Sequence, residues 1–181
     1  MKKLLSFLAI FTLIITTGCG NKMLNTPTKK VEMFLGNYQS LDDEVMSQLD
    51  DTLANENMTD EQKDRYKEIM KKHYQNLTYE IKDEVIDGDM ATVTVEIEVT
   101  DYTKVMDDAD KYLSEHKDEF NDKDNKYDES LFIDYRLDLL EKAKDRVKYT
   151  LDLTLTKVDG EWQLDDISDI DEQKIHGMYN Y

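Results

Sequence analysis

Three sets of side chains in this sequence have the types that chemistry needs. The first is His73, which falls on the stripe Tyr66, Ile69, Met70, His73, Tyr74 and Leu77. An imidazole there can act as a general base or a ligand, or it can fill the edge of a core with one hydrogen bond. No second histidine stands at metal-ligand spacing from it, which favours the structural role. The second set is Asp83 and Asp166. Asp83 shares the strand parity of Tyr79, Ile81 and Val85, and Asp166 that of Trp162 and Leu164, so parity alone puts both carboxylates on an apolar face. Burial raises a carboxyl pKa and fits it for moving a proton, and with Tyr38, Tyr66 or Tyr149 these groups would line a cavity site. The competing expectation is that both strands bend or end at those positions, so that the carboxylates reach water and Ile167 takes the inward place of Asp166. The bend is favoured, because no motif beyond parity supports an active site.

The third set is acidic: Asp107, Asp108 and Asp110; Asp118, Glu119, Asp122, Asp124 and Asp128; Asp165, Asp166, Asp169 and Asp171. A calcium loop of the EF-hand kind needs alternating oxygen ligands, a glycine at its sixth position and an acid at its twelfth. Asp122 and Asp124 fit the first two ligands, but Lys126, Tyr127 and Ile133 occupy the next three critical places. A solvated charged face is the better account, and no metal or cofactor is assigned. Nucleophilic catalysis has no footing either, since no G-x-S-x-G motif or Gly-rich phosphate loop occurs.

The chain's one cysteine, Cys19, stands in a different context. Lys2 and Lys3 precede an uncharged run from Leu4 to Ile15, which is too short for the roughly 20 residues of a membrane-spanning helix and has the form of a signal-peptide core. With Thr16-Thr17-Gly18-Cys19 closing it, the segment resembles the bacterial lipoprotein signal. That resemblance implies cleavage before Cys19, acylation of its thiol with palmitate-type chains, and a protein held at the extracytoplasmic face of the cell membrane. The organisation expected is a signal peptide over 1–18, a lipidated tether over 19–25 and one domain over 26–181.

Removing residues 1–18, with their two lysines, leaves 163 residues and moves the net charge from −18 to −20. This length supports a single domain with a real core. The negative charge repels phosphate backbones, which excludes nucleic acid as a partner and holds the domain off anionic lipid. No cysteine remains for a disulfide, so the fold rests on its core.

The elements that position these groups are legible from period. Thr26-Pro27 starts a helix with the stripe Val31, Phe34, Leu35, Tyr38 and Leu41. Ser40 is expected to cap a second helix with Val45, Leu49 and Leu53 inward, and Thr59-Asp60-Glu61-Gln62 is a capping box opening a third. The period then changes to two: a hairpin turns at Asp87-Gly88, with Val93, Val95, Ile97 and Val99 on its apolar face. Helices are expected from Thr103 to about Phe120 and from Ser130 to about Arg146, followed by a second hairpin that turns at Asp159-Gly160. The last dozen residues show no clear period. The order predicts an α+β fold: N-terminal helices packed on a curved antiparallel sheet of about four strands in two hairpins, with a helical insertion between them.

The opening Val31-Glu32-Met33-Phe34-Leu35…Tyr38 and the closing Lys157-Val158-Asp159-Gly160-Glu161-Trp162 resemble small bacterial lipoproteins of the NTF2-like (cystatin-like) superfamily. The resemblance implies a sheet wrapped into a cone, sometimes with an open cavity. The function expected is a membrane-anchored, non-enzymatic module that binds an envelope protein or a small apolar ligand. One alternative is a cavity enzyme of the isomerase or lyase type using Asp83, Asp166 and a tyrosine. Another is a structural or accessory lipoprotein of the cell envelope whose acidic surface meets basic partners.

Overall fold

The computed structural model describes residues 25–180. Cys19 and the signal peptide expected over 1–18, together with Tyr181, lie outside the described residues. The elements run α1 (Pro27–Ser40), α2 (Asp43–Ala54), α3 (Asp60–Gln75), β1 (Thr78–Asp87), β2 (Met90–Thr100), α4 (Tyr102–Glu115), a 3₁₀ turn (Lys117–Phe120), α5 (Glu129–Lys142), β3 (Arg146–Val158), β4 (Glu161–Leu164) and α6 (Asp169–Ile175). The expected α+β architecture is present: one antiparallel sheet in the order β1-β2-β3-β4, with helices packed on it and a helical insertion between the two hairpins.

The helix starts follow from side chains that satisfy free backbone N–H groups. Thr26 accepts from Lys29 N ahead of Pro27, and Thr59 and Gln62 form the capping box that opens α3. The second helix departs from expectation. Asp42, not Ser40, is its cap, because Leu41 adopts the left-handed conformation (φ 56°) and ends α1 one residue later, with Leu41 N and Asp42 N bonded to Tyr38 O and Asn37 O. The predicted helix from Thr103 begins at Tyr102, capped by Asp101, and stops at Glu115, with the 3₁₀ turn carrying the chain on to Phe120. The fifth helix begins at Glu129 under the Asp128 side chain and ends at Lys142 rather than near Arg146, where β3 already starts.

The main core lies between the sheet and α1–α3. Val93, Val95, Ile97, Val99, Leu151 and Leu155 from the two central strands are fully buried, against Val31, Leu35, Met70 and Tyr74 from the helices. The inward face of the sheet is therefore filled with side chains. A smaller core of Ala109, Phe120 and Phe132, with Tyr112 and Tyr135 packed on it, joins α4 to α5. Arg65 and Gln62 tie α3 to this helical unit. The Arg65 guanidinium is within 3.6 Å of Asp134 and closer still to Asp138 and Glu141, and Gln62 Nε2 donates to Ser130 and Asp134.

The C-terminal residues, aperiodic in sequence, close the fold. Ser168 caps the seven-residue α6, and the chain then crosses the end of the sheet formed by Thr100 and Arg146. Gly177 O accepts from both Tyr102 N (2.9 Å) and Thr103 N (3.0 Å), and Tyr179 O accepts from Tyr149 Oη (3.1 Å). Only glycine fits at 177: φ is +68°, and a Cβ there would stand 2.1 Å from Thr100 O.

Candidate functional site

The structure separates the carboxylates and tyrosines that sequence parity grouped. In β1, Ile81 pairs with Val95 but Asp83 pairs with Thr94, so Lys82 is an extra residue in a β-bulge. Parity inverts beyond it. Asp83 and Val85 take the outward face with Thr94 and Thr92, whereas Glu84 lies across from the inward Val93. Asp83 is exposed, and its carboxylate accepts from Glu84 N. Glu84 instead reaches the start of α1, accepting from Thr28 N (2.9 Å) and Thr28 Oγ1 (2.6 Å), where a carboxylate suits the positive end of the helix. Asp166 is also exposed: β4 ends at Leu164, and the partly buried Ile167 packs on the core in its stead. Tyr38, Tyr66 and Tyr149 line three different pockets. The cavity site built from Asp83, Asp166 and a tyrosine is therefore not assembled.

His73 is a core residue, 1% exposed. Its Nε2 lies 2.8 Å from Ile175 O, and because a carbonyl only accepts, Nε2 carries the proton. Nδ1 is then an acceptor with no partner, and the ring stacks on Tyr102 with centroids 4.8 Å apart. Burial pulls the His73 pKa down to about 4, with the Ile175 carbonyl opposing that shift and His176 and Arg146 adding to it. His73 is thus a neutral clamp for the C-terminal strap, residues 168–180.

In the acidic loop, Asp122 spends its carboxylate on its own backbone, accepting from Asp124 N and Lys126 N. Among the described residues, no group of three or more His, Cys, Asp or Glu side chains is arranged to hold a metal ion.

A different cavity is the site the fold builds. It has a volume of about 300 Å³ and lies where six segments meet. Leu53 closes the end of α2, Tyr66 comes from the first half of α3, and Met106 stands one turn into α4. Ile133, Leu137 and Leu140 form the α5 wall, with Met58 from the α2–α3 loop and Met178 from the strap completing it. The apolar character of this wall follows from the inward stripes of amphipathic helices that meet here. Besides the Tyr66 phenol, five polar side chains share the lining: Thr52, Glu56, Asn57, Glu129 and Arg136. Asn57 Nδ2 donates to Glu129 at 3.0 Å. Arg136 lies over the Phe132 ring, 4.4 Å from its centroid, and its Nη2 meets Asp110, but its Nε is buried without an acceptor. Burial, then Tyr102 and Glu56, pushes the Tyr66 phenol up to about 12, so it stays a donor; its partner is the Met178 sulfur at 4.0 Å.

A second cleft of about 280 Å³ flanks the other side of α2 and includes Tyr38, Tyr74, Glu172 and His176. Tyr74 Oη and His176 Nε2 lie 3.3 Å apart in it. Burial raises the pKa of both phenols and lowers that of His176, so all three groups stay neutral near pH 7. Sequence reasoning placed Tyr38 and Tyr66 on core stripes but found neither cavity, because pocket walls come from residues far apart in the chain and no local period marks them.

No family model matches the chain, and no curated protein matches it in sequence. Among solved structures, it is similar to a Bacillus subtilis protein, YcdA, described as a candidate lipoprotein. The two share 17% sequence identity with a TM-score of 0.41, over 83% of this chain and 47% of the other, so the chain spans about half that protein's length.

Proposed function

We propose that this protein is a lipid-anchored, extracytoplasmic binding module whose ligand site is the cavity between α2, α3, α4, α5 and the C-terminal strap. The cavity carries the reading: three methionines, three leucines, an isoleucine and a tyrosine surround a space at the low end of small-molecule pockets, with few polar groups to orient a guest. The anchor comes from the sequence, with Lys2, Lys3, the run Leu4 to Ile15 and Cys19 resembling the bacterial lipoprotein signal. Among the described residues no helix is long and apolar enough to cross a membrane. The resemblance to NTF2-like lipoproteins agrees with a binding role, with one change: the sheet face that would line a cone is packed solid, and the guest space lies among the helices.

The layout supports a site held away from the lipid. Asn25 is pinned beside the β3–β4 turn, accepting from Trp162 N (2.8 Å) and donating to Gly160 O (2.9 Å). Cys19 is six residues upstream, a reach of about 21 Å at most. The cavity lies by the opposite end of the sheet, where Gly177 abuts Thr100 and leads into Met178, about 33 Å away along β2. The test has two arms. Radiolabelled palmitate should enter the wild-type chain and not Cys19→Ser, and an apolar fluorophore should brighten on the wild-type domain and not on Leu137→Trp, which fills the cavity. Palmitate in Cys19→Ser, or equal brightening by both domains, contradicts the corresponding half.

A further inference from the structure

The lining of the cavity is graded from apolar to acidic. Leu53, Leu137 and Leu140 are buried, whereas Glu56, Asn57 and Glu129 are exposed, so the leucines form the floor and the polar residues the mouth. Two observations turn the carboxylates toward the space. Glu129, Ile133, Leu137 and Leu140 are spaced i, i+4, i+8 and i+11 on α5, which is one helical face, and Glu129 stands one turn before Ile133. Its carboxylate is held there by Asn57 Nδ2 from the α2–α3 loop. On the other rim, the Glu56 charge is the third influence, after burial and Tyr102, that raises the Tyr66 phenol on the cavity wall. Neither carboxylate has an ion-pair partner among the described residues. Arg136, the cation of this lining, is offset by Asp110. The mouth therefore carries unbalanced negative charge over an apolar floor.

That grade selects among guests. A carboxylate or phosphate amphiphile brings like charge to the mouth of a chain whose net charge is already −18. A bare divalent ion leaves the floor unused and finds no group of three His, Cys, Asp or Glu side chains among the described residues. An alkyl or aryl amine uses both parts: its body packs on the adaptable Met58, Met106 and Met178, while its charged head stays in water at the mouth and avoids desolvation. We infer that the cavity takes a small organic cation, an apolar body carrying a protonated amine or quaternary ammonium, and that Glu56 and Glu129 select the sign of its charge. This inference rests on the binding reading of the same cavity. The selection comes from the field at the mouth rather than from a bond to one atom, so it weakens with salt.

The test uses residues 20–181, which contain both hydrophobic cores complete. The neutral fluorophore N-phenyl-1-naphthylamine is bound to the domain and displaced by octyltrimethylammonium or by octanoate, at ionic strengths of about 0.01 M and about 1 M. At the lower salt the cation should displace the fluorophore at about tenfold lower concentration than the anion, and at the higher salt that ratio should fall to about twofold. Glu56→Gln with Glu129→Gln, which keeps an amide oxygen toward Asn57, should lower the low-salt ratio by about fivefold. Asp87→Asn with Asp159→Asn changes the net charge equally at the hairpin turns, toward the other end of the sheet, and should leave the ratio within about twofold of wild type. Octanoate matching or beating the cation on the wild-type domain overturns the inference and needs no variant to be folded. A ratio undiminished by the two glutamate changes, or diminished as much by the two aspartate changes, overturns it as well. Failure of the fluorophore to bind the wild-type domain, or equal brightening on Leu137→Trp, overturns the cavity reading itself, and this inference with it.

Discussion

Lys82 shows how much a single residue decides. The alternation from Tyr79 to Val85 reads as an unbroken strand, and only the pairing with β2 reveals that one residue is left over, which turns Asp83 to water and Glu84 to the start of α1. Lys82, Asp83 and Glu84 are three charged residues in a row, any one of which could be the unpaired one, so the position of Asp83 was not legible, whereas His73 on its stripe was. Glu84→Ala removes the carboxylate that accepts from Thr28 and should cost about 1 kcal/mol in denaturant unfolding, as loss of a helix cap does. Gly177→Ala puts a methyl against Thr100 O and should cost more, about 3 kcal/mol or loss of the docked strap. His73 makes stability depend on pH. Its folded pKa, about 4, lies below the ordinary 6.5, so the unfolded chain takes up the proton first. Its contribution is complete above about pH 6.5, declines as the pH falls toward 4 by up to about 3 kcal/mol, and changes no further below that. His176, also depressed by burial, acts in the same direction. Wild type should therefore exceed His73→Phe by a margin that shrinks between pH 7 and 4.5; a margin constant across that range contradicts the neutral clamp.

At the scale of elements, the long helices and both hairpins were legible because each repeats its period over ten residues or more. Val93 to Val99 and Leu151 to Leu155 reach full burial with the alternation intact. Element ends were less legible, since Leu41 in a left-handed conformation and the stop at Glu115 fall where no glycine or proline marks an end in the sequence. The seven residues of α6 were hidden for a physical reason. A helix of two turns that buries little more than Ile175 shows no stripe, and what holds it is hydrogen bonding to His73, Tyr102 and Thr103 across the sheet end. The joint between α3 and α5 can be tested directly. Gln62 is 3% exposed and serves both the capping box and the bridge to Ser130 and Asp134, so Gln62→Ala should cost about 2 kcal/mol. Arg65→Ala, at a more exposed site on the same helix, should cost less than half of that by the same urea titration.

At the scale of the whole molecule, the fold class was readable and the site was not. The order of periods fixes which faces are apolar, but the cavity depends on how six segments leave space between them, and space has no residue type. Asn25 and the cavity lie toward opposite ends of the sheet, and the strap that closes one wall of the cavity is held by His73 and Gly177 rather than by the sheet ladder. The proposed binding role therefore predicts a coupling to strap docking: a guest that contacts Met178 should raise the thermal midpoint of the wild-type domain and not that of Leu137→Trp. The most direct measurement is native mass spectrometry of residues 20–181 purified gently from a bacterial host, compared with the denatured chain. The account predicts a retained adduct of small-molecule mass on the wild-type domain that is absent from Leu137→Trp. A wild-type domain that flies at the bare mass of its chain, alone or as a dimer, contradicts it.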